Sequence, residues 1–217
     1  MTSGTAQIEV VLFDLGGVLV RLGGLSAMQG LTGTGSEDKL WDRWLACPWV
    51  RSFQRGQCQP EDFAVGVVAD LALAISPAEF LERFRRWPEG PFDGAVVLVD
   101  TVRALVRVGC LSNTNAVHWD RIRDSWGFDQ LFDVVFLSHE MGLLKPDPEI
   151  FERVSSVAGC ASEQIAFLDD AVSNVDQARS MGFQARKVNG VDQATAALVE
   201  LGVLQPGQPR RGERDRG

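Results

Sequence analysis

The feature that most constrains the fold is an unbroken apolar run that ends in an acid and two glycines. The run Val10–Phe13 is followed by Asp14 and, after one leucine, by Gly16 and Gly17. A continuous apolar run closed by glycine predicts a strand buried on both faces of a parallel sheet. An acid at the end of such a strand lies at the carboxyl edge of the sheet, where open α/β folds bind ligands.

The C-terminal half of the chain alternates short apolar runs with helical patterns. Strands are predicted at Val108–Leu111, Val134–Leu137, Ile165–Leu168 and Gln184–Val188. Helices are predicted at Gly94–Val106, at His118–Trp126, after Asp147 as N-cap with Pro148 in the first turn, and from a cap at Ser173 to about Gly182. Strands that alternate with helices predict βαβ units and a mainly parallel sheet.

The segment 19–90 has a different character and predicts a small helical cap inserted after the first strand. Helical patterns occupy Glu37–Ala46, Pro60–Leu73 and Pro77–Trp87, with Ser36 and Ser76 as N-caps of the first and third, and we find no convincing alternating strand. We expect the aromatic residues of this segment to pack between helices, and Pro88–Pro91 to link the cap back to the core. The predicted core is 1–18 and 91–204, and the Pro-, Gly- and Arg-rich tail 205–217 is predicted to be disordered.

Composition excludes some classes of partner. The formal net charge of −8 disfavours a nucleic-acid or anionic-membrane surface. The four cysteines show no CxxC pairing or metal spacing, so we expect reduced thiols and a cytoplasmic location. The first residues lack a signal-peptide pattern, and no apolar run approaches the roughly 18 residues that a membrane span needs.

Polar residues that could form one site follow the predicted strands. Each has an ordinary explanation by itself, such as a turn cap or a solvated lysine, but their joint placement makes coincidence improbable. The set is Asp14, Ser112-Asn113, Lys145 in a later loop, and Asp169-Asp170. Two carboxylates from different strands suit Mg²⁺, and a hydroxyl, an amide and an ammonium group suit phosphoryl oxygens. Asp14 is then a candidate nucleophile.

These stretches resemble the four motifs of the haloacid dehalogenase (HAD) superfamily, in its form with a helical cap after the first motif. The matching stretches are Phe13-Asp14-Leu15-Gly16-Gly17-Val18, Leu111-Ser112-Asn113-Thr114-Asn115, Lys145-Pro146-Asp147-Pro148, and Phe167-Leu168-Asp169-Asp170 with Asn174. The Ser-Asn-Thr-Asn form, followed by His118, is similar to bacterial sugar-phosphate phosphatases such as the α-glucose-1-phosphatases.

The resemblance implies a Rossmann-like sheet, with the strand of Asp14 between those of Ser112 and Asp170. It also implies a Mg²⁺-dependent phosphatase that hydrolyses a small phosphorylated metabolite through an aspartyl-phosphate. The implied roles are nucleophile and metal ligand for Asp14, metal ligands for the Gly16 carbonyl, Asp169 and Asp170, phosphate ligands for Ser112, Asn113 and Lys145, and supporting positions for Asn174 and His118.

Two departures from the family pattern keep alternatives open. Typical family phosphatases carry a second Asp two residues after the nucleophile, where this chain has Gly16, so low or restricted activity is expected. The segment Leu105–Cys110 before Ser112 is also short. The alternatives are a metal-independent 2-haloacid dehalogenase, which the Asp169-Asp170 pair disfavours, and a catalytically weak or inactive HAD-like binding or regulatory protein.

Overall fold

A computed structural model describes residues 6–24 and 37–206, with only the backbone described for 37–41. Its main sheet has five parallel strands, which are β1 Val10–Phe13, β4 Arg107–Ser112, β5 Val134–Leu137, β6 Ile165–Asp169 and β7 Gln184–Lys187. Their order across the sheet is β5-β4-β1-β6-β7. The predicted central position of the first strand is confirmed, and every strand predicted from the sequence forms within one or two residues of its expected bounds.

The central strand is buried because both faces of the sheet are covered. Val11 and Phe13 of β1 pack into one apolar cluster, and Val10 and Leu12 pack into another on the opposite face. This alternation follows from the two-residue period of a strand. The covering helices are α5 Ala95–Arg103, α6 Ala116–Trp126, α7 Ser138–Met141, α8 Pro148–Ala158, α9 Val172–Ser180 and α10 Gly190–Glu200.

The helical cap lies between β1 and α5 and has its own apolar core. Its helices are α1 Glu37–Ala46, α2 Pro48–Gln54, α3 Pro60–Asp70 and α4 Pro77–Phe84. Phe53 stacks on Phe63 with ring centroids 4.2 Å apart, and Phe63 lies 4.9 Å from Phe84, which confirms the predicted aromatic packing. Trp49 is an exception to this packing, because the residue is 39% exposed.

Two short strands join the helical cap to the core. β2 Val20–Leu22 pairs antiparallel with β3 Pro88–Pro91, so the segment predicted to link the cap back to the core is itself a strand. The two stretches are far apart in the sequence and too short to show an alternating pattern. Their pairing holds both ends of the cap close to the end of β1.

Some local predictions were wrong for identifiable reasons. Ser173 lies inside α9, whose N-cap is Ala171. Asp147 stands at the N-cap of α8 but makes no capping hydrogen bond, because its carboxylate instead accepts from Arg55 at 2.7 Å.

The Ser76 cap is confirmed by its bond from the Glu79 amide at 3.2 Å. Helices α2, α7 and α10 were not predicted.

The remaining expectations concern the termini, the thiols and the membrane. Ser36 and most of the tail 205–217 lie outside the described residues. None of the four cysteines forms a disulfide. Among the helices of the described ranges, none has the length and apolar character needed to cross a bilayer.

Candidate active site

The site is built at the carboxyl edge of the main sheet, around Asp14. Asp14 follows β1 directly and is 8% exposed. Its Oδ1 accepts a hydrogen bond from the Leu15 backbone amide at 2.8 Å and lies 3.1 Å from Nζ of Lys145. The carboxylate is therefore held in one orientation at the carboxyl edge of the main sheet.

Three carboxylates converge at this edge. Asp14, Asp169 and Asp170 each offer an oxygen, and these oxygens all lie within 4.8 Å of one another. Gly17 makes this approach possible, since a Cβ on its backbone would lie 2.2 Å from Oδ2 of Asp170. Its φ of +73° is also one that glycine adopts without strain. Convergent carboxylate oxygens are the ligands that Mg²⁺ prefers, so this donor set fits the metal.

Lys145 is a buried cation among these acids. Its side chain is 1% exposed, and Nζ lies 2.6 Å from Oδ2 of Asp169 and 2.8 Å from the Leu111 carbonyl oxygen. Burial alone would lower the pKa of Lys145, but the charges of Asp14 and Asp169 raise it, and the lysine is therefore positively charged. The ammonium group offsets part of the negative charge that the three carboxylates place together.

Burial and the remaining negative charge raise the pKa values of two of the carboxylates. Burial, together with the charges of Asp169 and Asp170, raises the pKa of Asp14 to about 7, against the lowering effects of Lys145 and the Ser112 hydroxyl. Burial and then the neighbouring Asp169 raise the pKa of Asp170 as well. A divalent cation at this point would relieve both the repulsion and the desolvation of these groups.

Ser112 is the last residue of β4 and Asn113 follows it, as the sequence predicts, but the contacts of the two side chains differ. Ser112 is 3% exposed and bonds to the Asp14 carboxylate. The Asn113 side chain bonds instead to the backbone of Lys145, accepting from its N–H at 2.9 Å and donating to its carbonyl at 2.8 Å. The short connection between α5 and β4 leaves the pairing of Ser112 with Leu137 of β5 intact.

Asn174 lies where the sequence places it, against the metal-ligand candidates. Its amide donates to both oxygens of Asp169 at 3.1 Å, while Oδ1 of Asp169 also accepts from the Ala171 amide at 2.8 Å. The buried Asp169 side chain is thus fixed by Lys145 on Oδ2, by the Ala171 amide on Oδ1 and by Asn174 on both oxygens.

His118 belongs to the joint between the core and the helical cap. It is buried, its Nε2 lies 2.8 Å from the carbonyl oxygen of Phe84 at the end of α4, and its ring stacks on Phe84 at 4.0 Å. Burial of the imidazole lowers the pKa of His118 to about 4, so it is neutral at pH 7. The structure shows no bond between His118 and the carboxylate cluster within the residues that it describes.

Several contributors to the site carry no signal in the sequence. The Leu15 amide and the Leu111 carbonyl act through the backbone, which every residue has. Leu22 was also missed: a Cβ added to Gly16 would lie 2.6 Å from Cδ1 of Leu22, and that leucine is 52% exposed. The side chain of Leu22 thus stands beside the position where a second motif-one acid would begin.

Comparison with known proteins places this architecture in a family. The model of the haloacid dehalogenase-like hydrolases matches residues 8–182. The chain belongs to the haloacid dehalogenase-like hydrolases. A phosphatase of Mycobacterium tuberculosis is 26% identical over 93% of this chain and 98% of its own length. The D-ribitol-5-phosphate phosphatase of Bacteroides thetaiotaomicron is 24% identical over 86% and 95%.

Solved structures of HAD enzymes share the fold. A Bacteroides thetaiotaomicron HAD enzyme in complex with magnesium and inorganic phosphate superposes with a TM-score of 0.69, at 24% identity over 83% of this chain and 93% of its own. The L-2-haloacid dehalogenase of Xanthobacter autotrophicus gives 0.63, at 19% identity over 94% and 85%. A HAD enzyme that binds magnesium and phosphate and a haloacid dehalogenase thus both share the fold of this chain.

Proposed function

We propose that this HAD hydrolase is a Mg²⁺-dependent phosphatase that acts on a small phosphorylated metabolite through an aspartyl-phosphate on Asp14. The observation that carries the proposal is the convergence of Asp14, Asp169 and Asp170 beside the buried Lys145. A metal-independent dehalogenase needs no such excess of negative charge. The full-length similarity to two phosphatases supports the same choice.

Asp14, Asp169, Asp170 and the carbonyl oxygen of Gly16 would hold Mg²⁺, whose charge would offset the repulsion between the phosphate and the carboxylates. Lys145 adds a fixed positive charge to the same edge, and the Ser112 hydroxyl is close enough to Asp14 to bind an oxygen of a phosphoryl group there. Both groups are buried and preorganised, so their electrostatic effect is not weakened by bulk water.

The reaction takes two steps. A carboxylate oxygen of Asp14 forms a bond to phosphorus while the bond from phosphorus to the ester oxygen breaks, and that oxygen leaves with the electron pair. Water then attacks the aspartyl-phosphate, which releases inorganic phosphate and restores the carboxylate. Position 16 offers no side chain to protonate the leaving oxygen, so we expect this proton to come from water.

The test is phosphate release from p-nitrophenyl phosphate with Mg²⁺ and with excess chelator. We expect turnover that chelator abolishes, and loss of turnover in Asp14→Asn with the fold retained by circular dichroism. Phosphate release that persists undiminished in Asp14→Asn or in chelator would refute the proposal. Chloride release from 2-chloropropionate without metal would favour the dehalogenase instead.

A further inference from the structure

We propose that Asn113 is the positioning residue of Lys145, and that its side chain acts on the reaction through this lysine rather than as a direct phosphate ligand. The inference deepens the phosphatase function proposed above and rests on it. It concerns how a loop residue at the end of β4 controls a cation carried by a loop 32 residues further along the chain.

The geometry is a reciprocal pair of hydrogen bonds. The Asn113 carbonyl oxygen accepts from the Lys145 backbone N–H at 2.9 Å, and the Asn113 amide donates to the Lys145 backbone carbonyl at 2.8 Å. An amide side chain thereby satisfies both backbone groups of one residue, as a neighbouring strand would do. The backbone of Lys145 is fixed at the point from which its side chain enters the site.

Asn113 is itself held firmly enough to act as an anchor. The buried hydroxyl of Ser138, the first residue of α7, accepts from the Thr114 amide and donates to the Thr114 carbonyl, both at 2.9 Å. Asn115 caps α6 through the amide of His118 at 3.0 Å. The bonds of Thr114 and Asn115 therefore fix the loop Asn113–Asn115. Because this loop is fixed, the Asn113 side chain holds the backbone of Lys145 in a defined position.

The ammonium group of Lys145 is confined to one position by three surrounding oxygens. Nζ lies between oxygens of Asp14, Asp169 and the Leu111 carbonyl, at 3.1, 2.6 and 2.8 Å. Loss of the backbone anchor would let Nζ shift among these partners and away from the point where a phosphoryl group meets Asp14. A displacement of about 1 Å at a catalytic group can cost about 10²-fold in rate.

A double-mutant cycle separates the two roles. Asn113→Ala, Lys145→Met and the double variant are assayed with p-nitrophenyl phosphate and Mg²⁺, and the inhibition constant of inorganic phosphate is measured for each. We expect Asn113→Ala to lower kcat about 10²-fold in the wild-type background and less than about threefold in the Lys145→Met background. The phosphate inhibition constant should likewise stop responding to Asn113→Ala once Lys145 is replaced.

The matched control is Asn115→Ala, which removes the same side-chain amide from the same loop without touching Lys145. It should cost helix stability but show multiplicative effects with Lys145→Met. If Asn113→Ala and Lys145→Met also multiply, in rate or in phosphate inhibition, Asn113 contacts the substrate directly and the positioning role is wrong. Absence of turnover in the wild type would instead contradict the proposed phosphatase.

A second measurement does not need the Lys145 variant, whose missing buried cation can prevent folding. Amide hydrogen exchange is followed at Lys145 in the wild type and in Asn113→Ala. We expect exchange at this amide to become at least tenfold faster in the variant, because its acceptor is lost, while amides of β6 keep their protection. Unchanged protection at Lys145 would overturn the proposal, with or without activity.

Discussion

Replacement of Gly16 by aspartate tests what the missing side chain costs this HAD hydrolase. Without a proton donor the ester oxygen must leave as an anion or take a proton from water. The wild-type rate should therefore fall steeply as the pKa of the leaving alcohol rises, since phosphoryl transfer leaves charge on that oxygen. Aryl phosphates need the donor least and simple alkyl phosphates need it most.

The size of the gain depends on whether the new side chain fits. General acid–base catalysis contributes about 10²- to 10⁴-fold, which bounds the gain for an alkyl phosphate. A Cβ at position 16 would lie 2.6 Å from Cδ1 of Leu22, too close for contact. The neighbour is the end of a flexible side chain that is 52% exposed, so it can rotate into solvent. Gly16 is not among the positive-φ residues, and an L-residue there meets no backbone strain.

The assay is a series of phosphate monoesters of increasing leaving-group pKa, measured for the wild type, Gly16→Asp and the matched steric control Gly16→Ala. Gly16→Asp should accelerate the alkyl end by at least about tenfold and flatten the dependence. Gly16→Ala should keep the wild-type slope, and Leu22→Ala combined with Gly16→Asp should accelerate further if the leucine obstructs the acid. A flat series in the wild type would mean that another group supplies the proton, and the role assigned to position 16 would be wrong.

Three further predictions concern the metal, the joint and the loop of Lys145. Asp170→Ala should remove most activity and weaken Mg²⁺ binding in calorimetry, whereas Asp169→Ala should also destabilise the fold, because it leaves the buried Lys145 without its closest partner. The pKa of His118, about 4 when folded and 6.5 when unfolded, lets the unfolded chain bind a proton that the folded one does not. Stability should thus fall as the pH drops below 6.5, by about 2 kcal/mol between pH 7.5 and 5 relative to His118→Gln in urea unfolding; equal losses in both proteins would contradict the buried neutral imidazole. Arg55→Gln breaks the 2.7 Å pair with Asp147 between the helical cap and the loop of Lys145, but both side chains are partly exposed, so the unfolding free energy should change by less than about 1 kcal/mol. A larger loss would show that the pair supports the packing of the cap as well.

The sequence by itself determined the sheet and the edge at which the site lies. The strands at β1, β4, β5 and β6 are short apolar runs with polar ends, and this pattern is local, so it can be recognised without knowing the partners of each strand. Because the strands are parallel, their carboxyl ends share one edge. The grouping of Asp14, Ser112 and Asp169 therefore follows from topology before any distance is known.

Only the tertiary structure decided which polar groups pair with each other. Nothing local distinguishes an Asn113 that binds phosphate from one that binds the Lys145 backbone, and nothing marks Asp147 as the partner of Arg55, 92 residues away, rather than as a helix cap. A polar side chain pairs with the group that the fold brings within about 3 Å, and that choice depends on contacts between distant segments.

The same reason explains the joint between the helical cap and the core. β2 and β3 form a ribbon because each lies next to the other once the cap has folded, not because either has a strong strand pattern. His118 looks like a helix residue near a motif, yet it is buried because α4 of the cap ends against it. Packing and hydrogen bonds between distant segments determine these positions, so the local periodicity of the sequence does not predict them.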